Sequence, residues 1–369
     1  MSALYVHLPW CEQKCPYCDF NSHVRDQRSE ADYVAALLND LKSDAPYATQ
    51  PVETVFFGGG TPSLFSVQAI DAILTGVDQQ LGIASHAEIT LEANPGSAEQ
   101  AKFAGFRAAG VNRLSIGVQS FDDEKLVTLG RIHDSETAKN AIRAAQSAGF
   151  QRINIDLMHG LPGQTVTGAL ADVDQALAFE CEHLSWYQLT LEPNTAFYKH
   201  PPVLPQEEHL ADIQDAGLAR LTQAGLVQYE VSAFSRPGAQ CRHNLNYWRY
   251  GDYLGIGAGA HGKVTHQGQV HRSQKTRLPE HYIQHYAQGA PPRFSPVESD
   301  QLPFEFMLNQ LRLREGCEVE HFEEATGLDI ACIDPALQRC RDQGLMHPSR
   351  LQVTDLGWRY LNEVIERFL

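Results

Sequence analysis

No run in this sequence approaches the roughly 18 consecutive apolar residues that a bilayer-crossing helix needs, so no such helix is expected. Basic residues are scarce, with 29 Lys and Arg against 45 Asp and Glu and a formal charge of −16. That excludes a broad basic face for nucleic acid or anionic lipid, though not a local basic site. Cysteine is sparse too, eight in 369 residues, and badly spread for disulfides. Cys181, Cys241, Cys317, Cys332 and Cys340 are scattered, whereas Cys11, Cys15 and Cys18 are packed into eight residues. The pattern is poor disulfide arithmetic and good metal arithmetic. The opening Met1–Trp10 lacks a basic start and a small-residue cleavage site. It predicts no signal peptide and a cytoplasmic location, where thiols stay reduced.

What is present is an ordinary globular balance, 43% hydrophobic and 20% charged, long enough to bury a full core. Apolar β-rich segments at Leu4–Leu8, Val52–Phe57, Ala87–Leu91, Asn112–Val118, Arg152–Met158, Leu184–Leu191 and Gln228–Phe234 read as strands. Between them, amphipathic stretches at Ser29–Leu41, Val67–Leu81, Ala98–Ala109, Ser135–Ala148, Thr167–Phe179 and Glu207–Ala224 read as helices. The alternation predicts parallel βα units. A short repeat agrees: Ala109-Gly110-Val-Asn-Arg113 resembles Ala148-Gly149-Phe-Gln-Arg152, each copy ending a helix at Gly and entering a strand. After the Pro-rich break at Pro291–Pro296, the tail reads as a small α-rich, winged-helix-like domain. From residue 300 onward it carries seven Lys/Arg against thirteen Asp/Glu, which favours a lid or docking module over DNA reading. The expected organisation is an α/β partial barrel over about 1–235, an extension over 236–290 and the small domain over 291–369.

Cys11-x3-Cys15-x2-Cys18 follows the first strand, which in a βα barrel places it on the active-site face. Three thiolates on one loop can bind three irons of a cubane and leave the fourth open. Zinc with a fourth ligand from His7 or His23 is the alternative, although no second close ligand pair is present. Polar residues follow the next strands: Gly58-Gly59-Gly60-Thr61-Pro62, Glu92-Ala-Asn94-Pro95, Gln119-Ser120-Phe121, Arg131-Ile-His133 and Asp156. Glycines let backbone approach a ligand. Glu92 and Asp156 can accept from ammonium and hydroxyl groups, Gln119 can hydrogen-bond, and Arg131 can hold a carboxylate bidentately.

The cysteine triplet, with an aromatic Tyr17 before its third member, resembles the radical S-adenosylmethionine (SAM) superfamily. The wider set is similar to the narrower family of oxygen-independent coproporphyrinogen III oxidases and HemW-type heme chaperones. That set comprises Tyr5-x-His7-x-Pro9, Gly58–Pro62, Glu92-x-Asn94-Pro95, Gly117-x-Gln119-Ser120-Phe121, Arg131-x-His133 and Asp156-Leu-Met-x-Gly160 through Thr165. The resemblance implies a partial (β/α)6 TIM-like barrel of the radical SAM type and a 4Fe-4S cluster on Cys11, Cys15 and Cys18. It also implies SAM contacts from Tyr5, Gly59, Gly60, Thr61, Glu92, Gln119, Arg131 and Asp156, with Tyr17 beside the cluster.

Two departures separate this chain from the oxidases. Their extra cysteine two residues after the third ligand is Phe20 here, and where they carry an N-terminal extension that closes over the substrate, this sequence begins almost at its first expected strand. Both agree with the HemW-type pattern, whose members bind heme and deliver it to hemoproteins. His243-Asn-x-x-Tyr247-Trp248 matches that pattern, which makes His243 the expected heme ligand and Cys241 its alternative. The residues alone favour aromatic packing under a loop with His243 hydrogen-bonded; the resemblance is what points to heme. Expected partners are heme, acceptor apo-hemoproteins (membrane-associated respiratory proteins among them), an electron donor and a second copy of the chain, with no nucleic acid. Decarboxylation of a porphyrinogen, or another radical SAM reaction, is the competing function. Gly257-Ala-Gly259-Ala-His-Gly262 matches G-x-G-x-x-G without the following helix, so it is expected to line the cofactor or heme site instead. His281 and His285 lack a third partner and read as surface residues.

Overall fold

The computed structural model describes residues 2–24 and 30–369. Six parallel strands form its centre in chain order: β1 (Ala3–Leu8), β2 (Val52–Gly59), β3 (Ile83–Ala93), β4 (Arg113–Gln119), β5 (Arg152–His159) and β6 (His183–Gln188). Alternation along each strand decides which side is which. Leu4, Val6 and Leu8 of β1, with Val55 and Phe57 of β2, are fully buried against the helices, whereas the residues between them face the lumen. Each fully buried aliphatic or aromatic side chain contributes about 1.5–3 kcal/mol of transfer free energy.

The helices are set by local signals. Val67–Leu81 starts at Ser66, whose hydroxyl accepts the Ala69 amide at 3.1 Å, and packs Ile70, Ile73, Leu74 and Val77 inward at helical spacing. It stops at Gly82, where φ is +75°. The repeat at Gly110 and Gly149 is a helix stop used twice. Both glycines have positive φ, and the following Val111 and Phe150 bond back to Phe106 and Ala145 before entering β4 and β5. The expected helix over Ala98–Ala109 is broken into Ser97–Gln100 and Phe103–Ala108. Of the helix expected at Ser29–Leu41, Ser29 lies outside the described residues; the observed helix is Glu30–Asp44.

The sheet grows beyond the barrel at both edges. Tyr253–Ile256 pairs parallel with β1, and the antiparallel strands His261–His266, Gln269–Gln274 and Phe294–Pro296 follow it. At the other edge, the expected strand Gln228–Phe234 is corrected. Val227–Gln228 and Ala233–Ser235 are two short strands, the second antiparallel to β6. β-rich composition carries no information on strand direction, and the chain turns back between them. Residues of 236–290, such as Leu254, Ile256, Val264 and Tyr282, share the barrel's hydrophobic core.

A buried ion triad fixes this junction. Lys275 donates to Asp40 and Asp44 at 2.6 Å each, and Asp40 also accepts from Tyr282 and the Gly257 amide. Burial opposes the Lys275 charge, but the two carboxylates prevail and hold the ammonium above its ordinary range. The tail packs a second core around Phe306, Phe322, Leu337 and Val364. Its helices Leu302–Gln310, Val319–Thr326 and Asp334–Asp342 precede an antiparallel bridge between Met346 and Val353. That is the order expected of a winged-helix-like module. No helix among the described residues is long and apolar enough to cross a membrane.

Candidate functional site

The cysteine loop leaves β1 at its C-terminal end and is tied down along its length. Trp10–Cys11 pairs with His23–Val24, and the Cys18 amide bonds the Cys15 carbonyl at 3.1 Å. Asn21 donates to the carbonyls of Ala258 (2.8 Å) and Arg277 (2.9 Å). The backbone of Gly60 and Thr61 hangs on the loop through bonds to the Leu8 and Trp10 carbonyls, both 2.8 Å. A Cβ on Gly60 would stand 2.6 Å from the Trp10 carbonyl, and one on Gly59 (φ +116°) 2.6 Å from the His7 ring. These glycines therefore serve the seating of the loop as well as any ligand's approach.

Each sulfur has a polar neighbour aimed at it. Thr61 Oγ1 reaches Cys11 Sγ at 3.6 Å, Arg131 Nη1 reaches Cys15 Sγ at 3.6 Å, and Ser22 Oγ stands 4.0 Å from Cys18 Sγ. Among the described residues no three His, Cys, Asp or Glu side chains form a group that could hold one metal ion, the three thiols included. A cubane does not ask for that, because each thiolate binds its own iron. One loop with three thiols, each beside a donor that favours thiolate charge, fits such a cluster.

A cavity of ≈ 320 Å³ opens at these thiols and runs down the lumen. Tyr17, Gly59, Gly60, Thr61, Glu92, Gln119, Arg131 and Asp156 all line it with the cysteines. Tyr5 does not line it. Its hydroxyl bonds His7 Nδ1 at 3.0 Å, and His7 Nε2 bonds the Asn21 carbonyl at 2.9 Å, so it braces the loop from behind.

Arg131 is more committed than its sequence role suggests. One nitrogen donates to both Asn94 Oδ1 and the Gly117 carbonyl at 2.8 Å, the other reaches Cys15, and Nε has no partner among the described residues. Asn94 completes the bridge by donating to Thr61 Oγ1 at 2.9 Å. Gln119 adopts φ +72°, a costly conformation for a side-chain-bearing residue, and its amide oxygen accepts from Tyr187 at 2.7 Å. Burial, then the neighbouring Asp156, pushes Glu92 up to about 8. Burial also raises Asp156, against bonds from Ser115 (2.9 Å) and Asn154 (2.7 Å). Two buried acids facing one cavity form a receptor for a cation.

Sequence reasoning missed the lower lumen. Arg113, Ser115, Asn154, His183 and Tyr187 all line the same cavity. His183 links Asn154 (2.6 Å) to the Tyr229 hydroxyl (2.8 Å). The signal was available, since polar residues recur at every second position in otherwise apolar strands.

His243 does not fit the role of an iron ligand in this arrangement. It is 1% exposed; Nδ1 bonds Thr54 Oγ1 at 2.9 Å and Nε2 bonds the Tyr247 hydroxyl at 2.7 Å. Phe56 stacks on the ring at 5.1 Å, and burial holds its pKa down to about 3. Cys241 is equally sealed, against Glu88. The motif helix, Arg242–Trp248, instead closes the barrel's lower end, with Asn244 and Trp248 on the lumen and Arg312 of the tail 5.3 Å from the Trp248 ring. The glycine turn at 257–262 does not line the cavity; Gly257 and Gly259 press against the His7 backbone and the Asn21 side chain. His281 and His285 lie on the helix Pro279–Tyr286, with His281 exposed.

Comparison with known proteins gives the family of the chain. The family model "Radical SAM superfamily" matches residues 5–174, and "HemN C-terminal domain" matches 297–360. The chain is 50% identical to heme chaperone HemW of Escherichia coli (strain K12), over 100% of this chain and 98% of that protein. It is 34% identical to heme chaperone HemW of Bacillus subtilis (strain 168), over 100% and 99%. Among solved structures, coproporphyrinogen III oxidase (HemN) from Escherichia coli, a radical SAM enzyme, superposes with a TM-score of 0.83. It is 25% identical and covers 100% of this chain and 89% of that one.

Proposed function

From the premise that the chain belongs to the HemN/HemW family of the radical SAM superfamily, we propose that it is a heme chaperone carrying a SAM-liganded 4Fe-4S cluster. The observation that carries the cofactor half is the single cavity that unites the three thiols with the paired acids Glu92 and Asp156. A cluster with one open iron supplies chelation of SAM's amino and carboxylate groups and an electron for the sulfonium. Cys11, Cys15 and Cys18 would hold it. Arg131 stabilises sulfur charge at Cys15, and Glu92 and Asp156 attract the cationic end of SAM. Gly59 and Gly60 let the β2 turn pass close beneath the loop.

The heme half rests on full-length similarity to proteins named heme chaperones and on Phe20, which stands where the oxidases carry a further cysteine. At ≈ 320 Å³ the lumen is at the small end of ligand pockets, sized for a cluster and SAM rather than a macrocycle in addition. This small volume supports a heme seat outside the lumen, open to acceptor apo-hemoproteins. The test is anaerobic. Cluster-loaded protein should bind hemin with one-to-one stoichiometry and pass it to an apo-hemoprotein. Coproporphyrinogen incubated with SAM and reductant should stay unconverted. Substantial protoporphyrinogen formation without heme transfer would restore the oxidase reading.

A further inference from the structure

An iron porphyrin presents three chemistries at once: a flat apolar macrocycle, two propionate anions and an iron that takes a neutral imidazole. The described surface brings those complements together on one side of the cluster loop. Phe20 is 60% exposed while also lining the cavity mouth, Val24 is 61% exposed and Leu278 is 45% exposed. Exposed side chains of this size in one patch call for an occupant.

Contiguity follows from the hydrogen bonds. Asn21, one residue after Phe20, donates to the carbonyl of Arg277, the residue before Leu278. Lys14 donates to the Phe20 carbonyl at 3.3 Å. Burial, then Lys14, holds the His23 ring below its ordinary range, against a hydrogen bond to the Arg277 backbone. His261 pairs with Gln274 across the hairpin, and Gly259, two residues before it, presses against the Asn21 side chain; burial, then Arg272 and Arg277, holds the His261 ring below its ordinary range. His261 begins the strand His261–His266 and is exposed, and no hydrogen bond to either of its ring nitrogens occurs among the described residues. Lys14 and Arg277 are exposed beside these apolar side chains, and the exposed carboxylates of Glu12 and Asp19 lie on the same loop.

The geometry points to this patch as the heme seat: the macrocycle on Phe20, Val24 and Leu278, the propionates on Lys14 and Arg277, and the iron on His261. The inference rests on the heme-chaperone reading and makes it specific. It puts the porphyrin edge at the cavity mouth, beside Cys18 and outside the lumen, and gives the iron an imidazole that is free where His243 is not.

The test uses the full chain, cluster-loaded and anaerobic, titrated with hemin and, separately, with hemin dimethyl ester, whose propionates are masked. Iron content and thermal unfolding establish that each variant is intact. The Lys14→Glu/Arg277→Glu double variant should weaken hemin about tenfold or more while leaving the ester unchanged. His261→Ala should lose the imidazole-ligated Soret band and bind both probes more weakly. Phe20→Asp should weaken both probes. His243→Ala should keep the wild-type hemin spectrum. If wild type binds hemin and both the charge-reversed and His261→Ala proteins match it in affinity and spectrum, the seat is overturned and the chaperone reading survives. If wild type binds no hemin, both fall together.

Discussion

The two ends of one barrel lumen are built on opposite principles. At the C-terminal ends of the strands, side chains are left with work undone: three thiols, an Arg131 Nε with no partner among the described residues, and acids whose pKa values burial raises. At the N-terminal ends of β1–β3, His243 has both ring nitrogens satisfied, and Glu88 accepts from the Arg242 and His243 amides and from Cys241. Both ends carry histidine, cysteine and carboxylate. Their chemistry differs because one set is poised toward a cavity and the other is consumed in closing it. Identical residue types therefore predict function at one rim and stability at the other.

Breaking the upper end should have the largest effect. Cys15→Ser should reduce bound iron to background after anaerobic reconstitution and weaken SAM binding more than about 100-fold, with the fold retained by circular dichroism. Arg131→Leu should retain the cluster but weaken SAM about 10- to 100-fold, because the bridge from Asn94 and Gly117 to Cys15 is lost. Equilibrium dialysis with labelled SAM measures both. Arg131→Lys should recover only part, since a point charge cannot span all three partners.

Breaking the lower end should give the converse. His243→Ala leaves Thr54 and Tyr247 unpaired beside a cavity and should cost about 2–4 kcal/mol in urea unfolding. Iron content and SAM affinity should stay at wild-type levels. A loss of SAM or heme binding at undiminished stability would erase the contrast between the ends.

The smallest effect is a pH dependence. With Glu92 raised to about 8, its carboxyl is mostly protonated at pH 7, and a bound cation favours the ionised form. SAM affinity should therefore rise as pH passes upward through about 8, and binding at pH 7 should release protons. Calorimetry in buffers of different ionisation enthalpy reads that release directly, and Glu92→Gln should abolish it.

Legibility in the sequence follows the same division. The upper site was readable because its residues sit at strand ends behind local signals: a fixed cysteine spacing, a glycine run, a Glu-x-Asn-Pro turn. Asn94 was quoted there only as part of a motif, and its bridging of Thr61 to Arg131 appears only in three dimensions. The lower lumen was missed because Arg113, Ser115 and Asn154 lie inside strands read for their apolar faces, and His183 stands one residue before the strand expected at Leu184–Leu191. The difference between the expected and observed setting of His243 has a physical cause too. A histidine beside tyrosine and tryptophan is written alike whether it faces a porphyrin or Thr54, and only tertiary packing distinguishes them. Strand direction at 227–235 and the hairpin at 261–274 depend on long-range pairing, which local composition does not encode.

The central claim is a cluster with one open iron beside a cation-accepting pair of acids. Electron paramagnetic resonance of the reduced, reconstituted protein with and without SAM tests it most directly. A 4Fe-4S signal whose g-values shift on SAM addition, and whose shift disappears in Arg131→Leu at subsaturating SAM, is the predicted result. A signal indifferent to SAM at any concentration, or one bound zinc without sulfide, would contradict it.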